Sequence, residues 1–179
     1  MDVERVELHG VVREGYQILL RADAALLLPR AYERISAYYR ALGQACMDWV
    51  LEVHGARVRQ DFLSLEEVRD KARFCMHRYR FSMNCVWERE DHAAFLCETL
   101  LSGDGVDSEW RARRTAQVWN LKGEQILPLG EVRRLLSVPK RARPPFSPDG
   151  LYPRGGELVF YKNPTRRGAG GEWCLALET

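Results

Sequence analysis

The chain has 179 residues and a mass of 20.7 kDa, the size of one ordinary domain burying about 70% of its unfolded surface. With 46% hydrophobic and 29% charged residues it is no collagen, coiled-coil rod or disordered chain, and no stretch reaches the roughly 20 apolar residues of a membrane span. The net charge of +2 is split: residues 1–109 hold 14 basic and 19 acidic side chains, residues 110–179 hold 13 and 6, and a pI near 8.3 is mild for a dedicated nucleic-acid domain.

The first 22 residues read as two strands turning at Arg13-Glu14-Gly15, with Val6, Leu8 and Val12, then Tyr16, Ile18 and Leu20, alternating with polar neighbours. Ala24 to Leu28 is an apolar run ending at Pro29, whose fixed φ suits the first turn of a helix. Tyr32, Ile35, Tyr39, Leu42, Cys46, Trp49 and Val53 then recur at intervals of three and four, the stripe of a long amphipathic helix that Gly55 is placed to end. Ser64-Leu65-Glu66-Glu67 has the spacing of a capping box opening a second helix with Leu65, Val68, Ala72 and Cys75 inward.

Tyr79, Phe81, Met83, Cys85 and Trp87 alternate with mostly polar residues, the pattern of a half-buried antiparallel strand. The polar segment Glu88 to His92 supplies a turn, and Ala93 to Leu101 returns, placing Cys85 roughly opposite Cys97. After the loop at Ser102-Gly103-Asp104-Gly105, Trp110 to Leu121 is a third strand whose arginine-bearing face is Arg111, Arg113, Thr115, Gln117 and Trp119. Pro128 to Leu136 reads as a short helix, residues 139–150 as a proline-rich loop, and Glu157 to Tyr161 and Trp173 to Leu177 as the last strands. The expected fold is α+β: an antiparallel sheet with one long and one or two shorter helices packed on one face. It forms a single domain over 1–179, with N-terminal strands in 1–27.

Five cysteines, an odd number without a visible signal peptide, point to reduced thiols. Cys75, His77, Cys85 and Cys97 are the nearest approach to a zinc set. Structural zinc sites draw ligands as close pairs on knuckles, and strand thiols fit packing better. A Cys–His nucleophile pair through His54, His77 or His92 would need an exposed, electropositive thiol in a nucleophile turn, and none is evident; His9 carries no signal. The carboxylates at Glu66-Glu67 and Glu88 to Asp91 read as helix capping and a solvated turn. No glycine loop matches a phosphate cradle, so no cofactor or metal is expected.

The segments Ile35-Ser36-Ala37-Tyr38-Tyr39, Arg114 to Leu129 with its R-x-x-x-VWN-L-x-GE-x-x-L-x-L pattern, and Phe146-Ser147-Pro148-Asp149-Gly150-Leu151-Tyr152 leading into Leu158-Val159-Phe160-Tyr161 resemble a known bacterial family. It is the C-terminal, extracytoplasmic domain of RsiV-type anti-sigma factors, a domain of unknown function also appended to peptidoglycan deacetylases, and the resemblance spans about residues 28–178. It implies an α+β fold and a binding role, with lysozyme sensing or wall recognition in members that have an assigned task. The loop here reads Gly103-Asp104-Gly105 where the family has Gly-Gly-Ala-His, so no ligand contact is carried over.

The functional expectation is a non-catalytic binding module for a protein or a peptidoglycan-type ligand. Arg111, Arg113, Arg141 and Arg143 are the candidate contacts, because arginine forks suit carboxylates and phosphates. A small hydrolase with a Cys/His or carboxylate site is the alternative. A further one is nucleic-acid binding through a basic C-terminal face that also holds Arg133, Arg134 and Lys140, although stacking aromatics are not interleaved with it. With no signal or anchor in the sequence the expected compartment is the cytoplasm, or outside the membrane if an upstream anchor has been trimmed.

Overall fold

The structure is a computed structural model describing residues 1–103, 106, 112–139, 141–165 and 167–177. β1 (Val3–Glu14) and β2 (Gln17–Pro29) form the expected hairpin, paired from Val3↔Pro29 to Glu14↔Gln17 with a bulge at Val12/Arg13. Gly15, at φ 56, takes the left-handed position that a side chain would disfavour in so tight a turn. Pro29 does not stand in the first turn of a helix, and the run from Ala24 to Leu28 before it is strand. That run is the inner half of β2, where Ala24, Leu26 and Leu28 alternate into the core and Pro29 closes the strand.

The long helix is present as α1 (Glu33–Trp49), which buries Ile35, Tyr39, Gly43 and Met47 against the sheet. Gly55 does not end it. The chain passes through a π-helical turn, Val50–His54, into α2 (Gly55–Leu63). Gly55 has ordinary helical φ, and its lack of a side chain is used for close approach, since a Cβ there would run into Val12 of β1. The capping box does not form. The Ser64 hydroxyl donates back to the Asp61 carbonyl at 2.7 Å, terminating α2, and α3 (Val68–Ala72) is one exposed turn with no buried residue. A Ser-x-x-Glu pattern can therefore close one helix as readily as open the next.

β3 (His77–Arg89), β4 (His92–Ser102), β5 (Ala112–Asn120) and the short β6 (Gln125–Ile126) follow, and the six strands lie in chain order. β3 pairs with β2 in parallel, Leu20↔His77 through Leu26↔Met83; the other neighbours are antiparallel. The all-antiparallel sheet is thus corrected to a mixed one. The helices between β2 and β3 carry the chain back to the end where β2 began, a crossover that makes neighbouring strands parallel. Period-two alternation reports which face is buried and is silent on strand direction. A bulge between Cys85 and Trp87 sets Met83 opposite Cys97 and Cys85 opposite Phe95, so the two thiols are not cross-strand partners.

The placing of all helices on one face of one sheet is also corrected. α1 packs on the face carrying Tyr79, Phe81, Met83, Phe95 and Trp119. A second antiparallel sheet of β7 (Gly150–Arg154), β8 (Glu157–Lys162) and β9 (Gly171–Ala176) covers part of the opposite face. Its Leu151, Tyr152, Leu158 and Phe160 pack with Ala94, Leu96 and Val118. α4 (Leu129–Leu135) belongs to this second layer through Val132.

The two sheets are joined at the free edge of β5. Asn163 accepts from the Arg114 backbone N–H at 2.6 Å and donates to its carbonyl at 2.9 Å, replacing a missing strand with one side-chain amide. The Tyr161 hydroxyl accepts from the Ala116 N–H at 3.0 Å.

Candidate functional site

The residues that carried the family resemblance are occupied with building the fold. Tyr39, buried in the core, accepts from the Trp119 indole at 2.9 Å and donates to Gln117 Oε1 at 3.0 Å. Gln117 in turn donates to the Tyr38 hydroxyl at 2.8 Å, and burial pushes the Tyr39 phenol far above its ordinary pKa. Glu124 caps α1 from the turn after β5: its carboxylate accepts from the backbone N–H groups of Arg34 at 2.7 Å and Ile35 at 3.2 Å. Two orphan donors and the positive end of the helix are met by one charge. Asp149 accepts from the Asn163 N–H at 2.6 Å, and Gly150 leaves room for the Tyr161 ring.

What the second sheet leaves uncovered is a groove of about 530 Å³ across the outer face of the large sheet. Strand register builds it in rows. One row runs His9↔Asp23↔Arg80↔Leu100 and the next Glu7↔Ala25↔Ser82↔Glu98↔Arg114. Ala25 and Ser82 are small and form the floor. The charges at the two ends are matched. His9 Nδ1 lies 2.8 Å from Asp23, Arg5 donates to Glu7 at 2.7 Å, and Arg114 holds Glu98 at 3.1 Å and reaches across to Glu172 of β9.

Arg80, in the middle, makes no ion pair or side-chain hydrogen bond with any described residue. Neither do Arg21 and Arg78, which stand directly opposite each other one row further on. All three are exposed. Arg80 stands opposite Asp23, which His9 already holds, whereas Arg21 and Arg78 are like charges facing each other across neighbouring strands, an arrangement that destabilises a sheet and that an outside counter-charge would relieve.

The four arginines expected from sequence do not come together. Arg113 lines the end of this groove and also a pocket of about 390 Å³ between α1 and the sheet, lined by Trp49 and Tyr79. Arg143, with Arg141 exposed nearby, is in the proline-rich loop beside α4, at a separate pocket. Arg111 lies outside the described residues, as do Lys140 and the Asp104-Gly105 part of the glycine loop. Arg21, Arg78 and Arg80 were missed. Their signal was Arg78-x-Arg80 on the polar alternate of β3, legible as a face; that Arg21 stands beside them depends on the parallel pairing.

The catalytic and metal alternatives gain little from the geometry. Among the described residues no three His, Cys, Asp or Glu side chains are grouped to hold a metal. Burial pushes the Cys46 and Cys85 thiols up and Cys97 up to about 12, opposite to an activated nucleophile. The acidic segments are spent on surface pairs: Glu67 with Arg69 at 3.3 Å, Glu88 with the amino group of Met1 at 2.9 Å, Asp91 with Lys122 at 2.5 Å.

His54, in the π-helical turn, meets the buried His77 at 3.0 Å, with Phe74 stacked on His77. Burial, then His77 and Arg57, lower the His54 pKa from 6.5 to about 4, whereas the hydrogen bond His9 donates to Asp23 raises that of the exposed His9. The unfolded chain therefore binds more protons at His54 than the fold does. Stability is held above about pH 6.5 and declines as pH falls toward 4; His54 is half-exposed, so its share is about 1–2 kcal/mol. In an NMR pH titration His54 titrates near 4 and His9 above 6.5; an ordinary midpoint for His54 would contradict the packed imidazole pair.

No helix among the described residues is long and apolar enough to cross a membrane. No family model and no curated protein matches the sequence. Solved structures do match the fold. A DUF3298 family protein from Pseudomonas aeruginosa PAO1 aligns with 98% of this chain and 89% of its own at 12% identity and a TM-score of 0.57. A DUF3298 family member from Bacteroides fragilis aligns with 97% of this chain and 89% of its own at 9% identity and a TM-score of 0.55. At such identities the likeness is one of fold: the chain shares the architecture of DUF3298 proteins over nearly its whole length.

Proposed function

We propose that this chain is a non-catalytic binding module that takes an extended anionic ligand, a protein segment or a peptidoglycan-type fragment with its carboxylates, along the outer face of the six-stranded sheet. The observation carrying the reading is Arg80, which makes no ion pair with any described residue, beside the small-residue floor of the groove, with Arg21 and Arg78 facing each other one row beyond its lining. Guanidinium forks suit carboxylates, and an exposed sheet face offers a long, shallow track suited to an extended ligand. The resemblance to RsiV-type domains supports binding over chemistry, and so do cysteines whose thiols are raised by burial.

The test is equilibrium binding of an acidic peptide and of soluble peptidoglycan fragments to the full chain at increasing salt. Saturable binding that weakens with salt and is lost on reversing Arg78 and Arg80 is the expected result. Binding indifferent to both, or chemical conversion of the fragment, would overturn it.

A further inference from the structure

Arg133 and Arg134, in the last turn of α4, meet Arg143 of the following loop at a pocket of about 720 Å³. Its floor includes the buried Phe160 of β8 with Val138 and Pro144, and no carboxylate lines it. Two of the cations have a local use. Basic residues at a helix C-terminus complement the last carbonyls, Arg133 donates to the Ala142 carbonyl at 3.4 Å, and Arg134 lies 3.8 Å from Glu131. Arg143 has none. It comes from another segment, pairs with no described residue, and adds a third positive charge where helix chemistry asks for no more.

The helix end is itself unusual. Ser137 N–H donates to the Arg134 carbonyl at 3.1 Å and Val138 N–H to the Arg133 carbonyl at 2.9 Å, a double closure that places Ser137 at φ 51. Glycine normally fills this position, so Ser137, which lines the pocket, is held there at a conformational cost.

We infer that Arg133, Arg134 and Arg143 form a second anion site, separate from the sheet groove, for a phosphate monoester on a hydrophobic body. A single carboxylate is satisfied by one guanidinium fork, whereas three cations lining one pocket suit a group carrying a charge of about −1.5 to −2. The apolar floor suits the body of the ester. This assignment does not depend on what the groove binds.

Calorimetric titration of the full chain with phenyl phosphate, inorganic phosphate and benzoate tests it. Phenyl phosphate binds saturably, about 10-fold tighter than inorganic phosphate because the ring covers the apolar floor, and tighter than benzoate. Arg143→Gln weakens it by about 10-fold with an unchanged thermal midpoint and Arg134→Gln weakens it by about 10-fold, while reversing Arg78 and Arg80 leaves it unchanged. No saturation by about 10 mM, equal affinity in Arg143→Gln, or equal affinity for benzoate overturns the assignment. So does steeply salt-dependent oligonucleotide binding, lost in Arg143→Gln, without phenyl phosphate binding; that result would assign the face to nucleic acid.

Discussion

Tyr39→Ala is expected to cost about 4–5 kcal/mol in urea unfolding, and Tyr39→Phe about half of that. The two values separate what the ring and the hydroxyl each do. The ring is fully buried, with centroids 5.3 Å from Phe95 and 6.0 Å from Trp119, so its loss leaves a cavity where α1 meets the sheet. The phenylalanine variant keeps the packing and removes only the oxygen. The buried Trp119 N–H then has no acceptor and Gln117 Oε1 loses its donor, a desolvation cost of about 1–3 kcal/mol. With ordinary domain stability of about 5–15 kcal/mol, the alanine variant approaches the limit of folding. A Tyr39→Phe cost near zero would show that the Tyr39–Gln117–Trp119 bonds do not hold the helix to the sheet.

Reversing Arg80 of the groove together with Arg78 of the next row, Arg78→Glu with Arg80→Glu, is expected to weaken binding of an acidic peptide by about 100-fold, since each lost charge-assisted contact is worth about 1.5 kcal/mol. Arg78→Glu alone is expected to stabilise the fold: Arg21 faces Arg78 across the parallel pair, and a carboxylate opposite it replaces repulsion with attraction, worth up to about 1 kcal/mol in the same unfolding assay. Arg80→Glu sets a carboxylate opposite Asp23 and offsets that gain in the double variant. In Arg78→Glu alone, weaker binding with equal or greater stability is a combination that a structural role for this arginine cannot produce. A loss of stability would return it to the ordinary surface.

The legible parts of this protein were its local ones. The β1–β2 hairpin, the α1 stripe and the Tyr79 to Met83 alternation each follow from residues within about two dozen positions of one another. What could not be read was set by partners far apart. Glu124 caps a helix that starts some 90 positions earlier, as its bonds to Arg34 and Ile35 show, and Asn163 completes the edge of β5 from 49 positions away. The mixed sheet belongs to the same class, because direction is decided by where the crossover returns the chain. The groove follows it, since Arg21 and Arg78 become neighbours only once β2 and β3 run parallel. Gly55 and Ser64 show the opposite failure, where a sound local rule gave the wrong role. Each sits at a boundary whose function was settled by what lay across from it, Val12 for the glycine and the end of α2 for the serine. The VWN and GE residues carried the family resemblance; in the structure Trp119 and Glu124 serve the scaffold.

The most direct measurement is an amide NMR titration of the full chain with soluble peptidoglycan fragments and with an acidic peptide. A saturable response centred on Arg21, Arg78, Arg80 and Ser82, fading as salt is raised, is the result this account predicts. A response centred elsewhere, or none from either ligand, would contradict the placing of recognition on the open face of the sheet.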